Sequence, residues 1–404
     1  MGAGARWAIR GQPVALTALQ RALQRGRLPQ ALLLVGPAHV GKTTLALDLA
    51  AALLCTTADP AERPCRACPA CRWVERGTHP DLHRLAPSGA GQQIRLGSRE
   101  GPEPGTVRSL LSEFATLPIQ GSTRVAVIEQ AHRLNEDAQN ALLKLLEEPP
   151  AGAVVCLAAD DASVLLDTLR SRCTRLRLGT VDPAAIAALL VERGLSDPIR
   201  APVIARAAGG LPGRAVALTG SPEALLTEDR LVRQLLDLLA ATVAERLVAA
   251  AALRDDGLVL ATLPGGGEAS GLADEPRASD GDDPDDGRTE GRGEGRRDGE
   301  PPRPTRSRAR LSPQERRAAV RSLLAVWASL GRDLAVAAAG GRNEIGRLDL
   351  LEELATLAPR LRPAELTAFL ARLDGLDRAV EAYADPELVL DTLLLAWPEL
   401  RRAA

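Results

Sequence analysis

The sequence predicts an α/β domain, a parallel sheet with helices on both faces, followed by two regions built from helices alone. Short continuous apolar runs at Ala31–Val35, Arg124–Ile128 and 154–158 alternate with helical segments, as the strands of a buried parallel sheet do. The first run leads directly into a glycine-rich loop and then into a helix. From Pro183 onward, short helices rich in alanine and aliphatic residues replace the alternating pattern.

Composition limits the classes of protein that fit. The 404 residues, 45% apolar and 2% aromatic, are enough for several domains with cores of Leu, Ala and Val. A net charge of −2 excludes a global basic field, so any DNA contact has to be local. No apolar run reaches the ~18 residues of a membrane span, and the N-terminus has no apolar region before a small-residue cleavage site. We therefore expect a cytoplasmic protein with no membrane partner and no disulfides.

Three domains are expected. Residues 1–179 form the α/β domain, with a cysteine-rich insertion at 55–71, residues 180–222 form a small helical lid, and residues 223–404 form a helical domain. Residues 265–310 interrupt the last domain; they are rich in Gly, Pro, Asp and Arg, and we expect them to be disordered. This segment is either a tolerated insertion or a tail that contacts DNA or a partner.

Individual elements follow from spacing and capping signals. Pro13 opens a first helix in which Leu16, Leu19 and Leu23 recur at helical spacing. Further helices are predicted at 44–54, 107–117, 163–170, 184–193, 199–208 and 223–254, and a last strand at 175–178.

Two helices have explicit start signals. Asn135 predicts the start of a helix that ends before Pro149. Ser312 is expected to cap a helix that begins at Pro313, with Glu315 at the third helical position of a capping box.

The loop after the first strand, 36–43, matches the phosphate-binding pattern G-x4-G-K-[ST]. Gly36 and Gly41 let the backbone turn tightly and direct N–H groups at phosphates. Lys42 would reach the β and γ oxygens, Thr43 would offer its hydroxyl to Mg²⁺, and Thr44 continues the helix N-terminus. ATP or ADP with Mg²⁺ is the expected ligand, and the pattern leaves open whether this copy of the loop binds it.

Four cysteines, Cys55, Cys65, Cys68 and Cys71, lie within 17 residues of one another. Four thiolates at this spacing suit a closed, tetrahedral Zn²⁺ site of the structural kind. Unrelated free thiols and a redox pair are the alternatives, and the two C-x2-C steps favour zinc. The ion would hold together an insertion that has little core of its own.

Glu129 directly follows a predicted strand, where a P-loop fold places a carboxylate that meets the metal of a bound nucleotide. The next position, where an acid would orient the attacking water, is Gln130, which cannot accept a proton. Glu136 and Asp160 are alternative acids, and neither is expected at the right place on the strand end. We therefore expect ATP hydrolysis by this chain to be weak or absent.

Arg172, in Ser171-Arg172-Cys173, follows a predicted helix. An exposed arginine there is either a surface charge or a group that reaches the γ-phosphate on a neighbouring subunit, which accelerates phosphoryl transfer by ~10³–10⁵. The residues alone favour neither of these two interpretations.

Together these motifs resemble those of the bacterial clamp-loader AAA+ subunits of the DNA polymerase III holoenzyme. The resemblance covers residues 8–222 and includes the P-loop, the four cysteines, His79-Pro80-Asp81, the run NALLKLLEEPP at 140–150, and SRC at 171–173. In the C-terminal part, Trp327 with Arg332-Asp333 and Asn343 is similar to the collar domain of that family.

The resemblance implies an AAA+ P-loop domain, a lid and an all-α collar within a hetero-pentameric ring that contains delta and tau/gamma subunits. Such a ring opens the beta sliding clamp and loads it on primer-template DNA during replication. The ATP-hydrolysing tau/gamma type carries Asp-Glu where this chain has Glu129-Gln130, and Thr where it has Ala159-Asp160.

These departures favour the stator subunit of the ring, with the tau/gamma type as the alternative. The resemblance also implies that Arg172 acts in trans on a neighbour's ATP site, and it places the lid's sensor arginine near Gly213-Arg214. A stand-alone DNA-binding protein has little support, because no aromatic stacking platform and no concentrated basic face are visible.

Overall fold

The computed structural model describes residues 5–88, 92–98, 101, 103–261, 312–341, 345–381 and 384–401. The segment 265–310 that we expect to be disordered, and Asn343, lie outside these residues. In chain order the strands and α-helices are α1 (Pro13–Gln24), β1 (Ala31–Val35), α2 (Lys42–Leu54), α3 (Pro69–Glu75), β2 (Leu82–Leu85), α4 (Val107–Phe114), β3 (Arg124–Ile128), α5 (Glu136–Glu147), β4 (Ala153–Ala159), α6 (Asp167–Ser171), β5 (Thr174–Arg177), α7 (Pro183–Glu192), α8 (Ala201–Ala207), α9 (Pro212–Thr219), α10 (Pro222–Asp237), α11 (Val243–Ala261), α12 (Pro313–Ala338), α13 (Leu351–Leu357), α14 (Pro363–Glu381) and α15 (Pro386–Ala396).

The five strands form one parallel sheet in the order β2-β3-β4-β1-β5. In the centre, Leu33 of β1 pairs with Leu157 of β4. Because all strands run the same way, the loops after their carboxyl ends meet at one edge of the sheet, where parallel sheets bind ligands. The P-loop, Glu129 and Asp160 all follow strand ends at that edge.

Both faces of the sheet are buried, since successive side chains of each strand point to opposite sides. On one face, Leu33, Ile128 and Leu157 pack with helices α4 to α6. On the other face, Leu32 and Cys156 pack with α1 and α2. This arrangement explains why the three inner strands β1, β3 and β4 read as apolar runs, whereas the edge strands β2 and β5 carry polar residues.

The C-terminal helices surround α12, whose Trp327 is 0% exposed. The ring of Trp397, after α15, meets Trp327 edge-on at a centroid distance of 6.2 Å and Phe369 at 4.8 Å. One continuous apolar cluster joins these rings to residues of α7 to α9, such as Ile186 and Leu218. A few aromatic residues therefore suffice for this core, because they lie together at the centre of the C-terminal helices.

The predicted start signals are present. The Asn135 side chain accepts from the Ala138 N–H at 3.0 Å at the start of α5. Ser312 and Glu315 form a capping box at the start of α12.

Two predictions of secondary structure were incomplete or wrong. β2 was not predicted, and the helix expected at 163–170 is interrupted at Leu165 and Leu166, which are extended. The Leu166 N–H donates to the Gln139 side chain at 2.8 Å, so a contact from α5 replaces a helical hydrogen bond.

The predicted fold class is confirmed: an α/β P-loop domain with helices on both faces of a parallel sheet, followed by a helical C-terminal region. Within the part of the chain that the structure describes, no helix has the length and apolar character needed to span a bilayer.

Candidate functional site

The P-loop connects the end of β1 to the start of α2, as the motif predicts. Gly41 has a φ of +104°, a conformation that residues with a Cβ rarely adopt. A Cβ on Gly36 would lie 2.3 Å from the Leu178 carbonyl oxygen, so only glycine fits there. Thr43 and Thr44 are in the first turn of α2, whose N-terminus suits an anion.

The Lys42 ammonium is held by three acceptors. Its side chain is 0% exposed, and its Nζ lies 2.7 Å from Oδ1 of Asp160. It also donates to the carbonyls of Gly36 at 3.1 Å and Pro37 at 2.7 Å. No role for Asp160 was predicted; the structure places it directly after β4, against the P-loop lysine.

Asp160 stays ionised in this setting. Burial alone would raise the pKa of its carboxyl, but the neighbouring Lys42 ammonium counteracts burial, and that pKa lies below its usual value. His132 Nδ1 accepts from the Asp160 backbone N–H at 3.2 Å, and its Nε2 lies 3.8 Å from Oδ2. Burial lowers the pKa of His132 to about 4, so the ring is neutral at pH 7.

His132 gives the fold a defined acid sensitivity. The pKa of His132 is about 4 in the folded protein, and its ordinary value, 6.5, applies to the unfolded chain. As pH falls, the unfolded chain therefore takes up the proton first. Stability is unaffected above pH 6.5 and falls below it, by about 2 kcal/mol at pH 5. Urea unfolding of the wild type and of His132→Asn, at pH 7 and pH 5, should show a smaller pH-dependent loss in the variant. An equal loss in both would contradict this origin.

The carboxylate predicted to meet a metal is already engaged. Glu129 is 4% exposed, and its Oε1 accepts from Arg84 Nε at 2.9 Å and Nη2 at 2.6 Å. Gln130 has a φ of +48° and lines a cavity of about 400 Å³ together with Asp160 and Arg214. Arg214, near the expected sensor position, forms an ion pair with Glu228 at 2.9 Å.

A second cavity, of about 130 Å³, lies beside the P-loop and was not predicted. Its walls come from four segments that are distant in sequence, and they are mainly apolar or backbone. They are Ala8, Ile9, Arg10, His39, Val40, Gly41, Thr43, Thr44, Leu189, Arg193, Pro212, Gly213 and Val216. Helix α9 contacts the P-loop here, since the Gly213 N–H donates to the His39 carbonyl at 2.9 Å. An apolar cavity next to a phosphate loop is suited to the base of a nucleotide.

The four predicted cysteines come together, with their sulfur atoms all within 4.8 Å of one another. Around Zn²⁺ with four Zn–S bonds, neighbouring sulfurs are about 3.8 Å apart, and Cys55 Sγ and Cys68 Sγ lie 3.9 Å apart. Cys65 Sγ accepts N–H bonds from Ala67 and Cys68 at 3.5 and 3.3 Å. Burial opposes ionisation of Cys65, but these bonds and one from Thr57 lower its pKa to about 6. The donor set therefore fits a structural zinc ion.

The cysteine loop is connected to the second cavity through Asp48 of α2. Arg66, between Cys65 and Cys68, pairs with the Asp48 carboxylate. The other oxygen of Asp48 accepts from the N–H groups of Ala8 and Ile9, each at 2.8 Å. Burial raises the pKa of Asp48, although Arg66 opposes it. One buried carboxylate thus joins the cysteine loop to the wall of the cavity.

Arg172 ends α6 and does not line either cavity. Its Nη2 lies 2.6 Å from Oε1 of Glu147, and its Nη1 donates to the Thr168 carbonyl at 2.8 Å. The arginine and Glu147 side chains are 35% and 47% exposed, so a partner can reach this pair.

Residues 11–182 match a protein family model described as "DNA polymerase III, delta subunit". The chain is 31% identical over 185 residues to DNA polymerase III subunit delta' of Bacillus subtilis, a match that covers 46% of this chain and 53% of that protein. It is 38% identical over 151 residues to subunit delta' of Pseudomonas aeruginosa, covering 37% of this chain and 43% of the relative.

A relative with a different name matches a longer part of the chain. Subunit tau of Salmonella typhimurium is 36% identical over 214 residues, which are 52% of this chain and 32% of that protein. The matches span about a third to a half of the length of these curated relatives. The resemblance to the clamp-loader subunits of DNA polymerase III that the motifs predict is therefore confirmed for residues 11–182.

Proposed function

We propose that this chain is a delta-prime-type subunit of the clamp loader of DNA polymerase III. In that role it is the stator of a ring with delta and tau/gamma subunits, which opens the beta sliding clamp and loads it on primer-template DNA. The observation that carries the proposal is the strand end at Glu129-Gln130, because this position separates a non-hydrolysing subunit from the tau/gamma type.

The strand end lacks the groups that hydrolysis needs. A neutral amide at Gln130 cannot accept a proton from water. The carboxylate of Glu129 is bound to Arg84, and the ammonium of Lys42 is bound to Asp160. Thr43 and Glu129 are the residues that would hold a Mg²⁺ ion, which would neutralise phosphate charge, and Glu129 would have to leave Arg84 to do so.

Turnover by the isolated chain tests the proposal against its alternative, an ATP-hydrolysing tau/gamma-type subunit. The purified chain is expected to show no multiple-turnover ATP hydrolysis, whereas a ring reconstituted with delta and tau/gamma subunits hydrolyses ATP in the presence of clamp and primed DNA. Capture of delta and tau/gamma on the tagged chain is the companion measurement. Multiple turnover by the chain alone, at a rate typical of a working ATPase, would favour the tau/gamma type.

Arg172 is proposed to act on the nucleotide of a neighbouring subunit. Support comes from its exposure at the end of α6 and from its absence among the residues that line the two cavities of its own chain. A guanidinium beside a γ-phosphate stabilises the charge of the transition state. Its pair with Glu147 is exposed and contributes little to stability, so exchanging Glu147 for phosphate carries a small cost.

Arg172→Ala is expected to leave the ring assembled and to slow hydrolysis at the one site it serves by on the order of 10³-fold. The total ATPase rate of the ring then falls by the fraction of that rate that this one site contributes. Arg170→Ala is the matched control, because Arg170 lies on the same helix and pairs with Asp167 instead. Equal ATPase rates for rings with either variant and with the wild type would refute a role in trans.

A further inference from the structure

The carboxylate of Asp160 occupies a place in the P-loop site that a phosphate oxygen would otherwise take. In P-loop sites the backbone N–H groups cradle the α- and β-phosphates, and the lysine reaches the β and γ oxygens. Here the Lys42 Nζ meets Asp160 Oδ1 at 2.7 Å. The carboxylate therefore supplies, from within the chain, the negative charge that the lysine would find on a nucleotide.

This charge pair leaves the lysine with less capacity for another anion. Lys42 donates hydrogen bonds to the carbonyls of Gly36 and Pro37, and its Nζ forms an ion pair with Asp160 at 2.7 Å. A phosphate oxygen that approaches the ammonium therefore competes with these three groups. Displacing the carboxylate would separate Asp160 from its counter-ion inside a site where the lysine is fully enclosed.

The position of Asp160 is fixed by the backbone. β4 is the middle strand of the sheet, and its last residue, Ala159, pairs with Val35 immediately before the P-loop. The Gly36 N–H donates to the Ala159 carbonyl at 3.4 Å, and His132 holds the Asp160 N–H. These contacts hold the backbone of Asp160 beside the P-loop, so a ligand that enters meets the carboxylate there.

We propose that Asp160 makes this site select a nucleoside diphosphate over a nucleoside triphosphate. The loop N–H groups, the N-terminus of α2 and the apolar cavity beside them are independent of Asp160, so a base keeps its cavity, and the α- and β-phosphates keep their contacts with the backbone N–H groups. A γ-phosphate meets a fixed carboxylate a few Å away instead of a free ammonium. The inference rests on the proposed nucleotide site, and it is independent of the clamp-loader role.

Direct binding to the full-length chain tests the inference. Isothermal titration with ADP and with ATP, each with Mg²⁺, should give a dissociation constant for ADP at least about tenfold below that for ATP, the size expected for one like-charge contact in a partly enclosed site. Equal binding, or tighter binding of ATP, overturns the inference without any variant.

Two variants test whether the carboxylate of Asp160 causes the selectivity. Asp160→Asn keeps the shape and removes the charge; both nucleotides should bind more tightly, and the ratio of their dissociation constants should fall towards one. Asp161→Asn is the matched control, because the adjacent carboxylate faces Ser163 and Arg378 instead of Lys42, and its ratio should equal that of the wild type. An unchanged ratio in Asp160→Asn overturns the proposal.

The experiments distinguish failure of the nucleotide selectivity from failure of the proposed stator function. If neither nucleotide binds to the wild type or to Asp160→Asn, the inference is overturned while capture of delta and tau/gamma subunits still supports the stator role. If ADP is selected but no partner is captured, the inference stands and the stator role fails.

Discussion

Replacing Cys71 with serine is expected to abolish zinc binding and to unfold the cysteine loop. Zn²⁺ sites of four cysteines contribute apparent binding free energies of about 10–16 kcal/mol at pH 7 in small zinc-binding peptides. That contribution is as large as the whole stability of a typical domain, about 5–15 kcal/mol. Between residues 56 and 78, all of them described, only Pro64, Ala70, Cys71 and Val74 are buried. The loop has too little core to hold its shape without the ion.

The measurement is the zinc content of purified protein, by elemental analysis, together with thermal unfolding. The wild type should contain one equivalent of zinc, and Cys71→Ser should contain none and unfold at a lower temperature. Cys173→Ser is the control, since Cys173 is outside the cluster, and its zinc content should be unchanged. A wild-type protein that carries no zinc, and whose unfolding a chelator does not alter, would refute the site.

Loss of the ion should also loosen the wall of the second cavity. Arg66 is fixed between two of the ligands, and it pairs with Asp48, which holds Ala8 and Ile9 in the cavity wall. Hydrogen exchange at the N–H groups of Ala8 and Ile9 should therefore accelerate in Cys71→Ser.

The features predicted well from sequence are those whose signal is local. The cysteine cluster and the P-loop are set by spacing over a few residues, and the three inner strands β1, β3 and β4 are apolar runs because both of their faces are covered. β2 was missed because its four residues, Leu-His-Arg-Leu, form neither a continuous apolar run nor a period-2 alternation.

The features that were missed depend on contacts between distant segments. The helix at 163–170 has no sequence breaker, and only the Gln139 side chain of α5 interrupts it. Asp160 was judged misplaced as a catalytic acid, and its actual contact with Lys42 follows from the alignment of β4 with β1. The second cavity has walls from residues near 9, 40, 190 and 213, and no local pattern marks such a set.

Asp81→Ala is expected to destabilise the α/β domain by about 3–5 kcal/mol, the cost of removing one partner from a buried ion pair. Asp81 belongs to the His79-Pro80-Asp81 motif and is 0% exposed. Its two oxygens accept from the N–H groups of Ile119 and Gln120 at 2.7 and 2.6 Å, and Arg124 Nη2 lies 3.5 Å away. The substitution leaves these N–H groups without an acceptor and the arginine without its counter-ion.

The His79-Pro80-Asp81 motif connects β2 to β3 through hydrogen bonds. His79 Nδ1 accepts from the Asp81 N–H at 3.1 Å, and the Asp81 carbonyl accepts from Val125 of β3 at 2.9 Å. Arg124, 3% exposed, also donates to the carbonyl of Leu117 at 2.6 Å. One carboxylate thus fixes the loop that leads into β3, the strand that ends at Glu129. The motif therefore supports the candidate site through the position of that strand, without touching a ligand.

Urea unfolding of a four-protein cycle, with wild type, Asp81→Ala, Arg124→Met and the double variant, separates the pair from its surroundings. Because the first substitution leaves a buried charge unpaired, the double variant should lose less stability than the sum of the two single losses. Asp197→Ala is the control, since Asp197 also accepts two backbone N–H groups but lies at the surface, and its loss should be much smaller. Strict additivity would mean that Asp81 and Arg124 stabilise the fold independently, and that the hydrogen bonds to Ile119 and Gln120 account for the motif on their own.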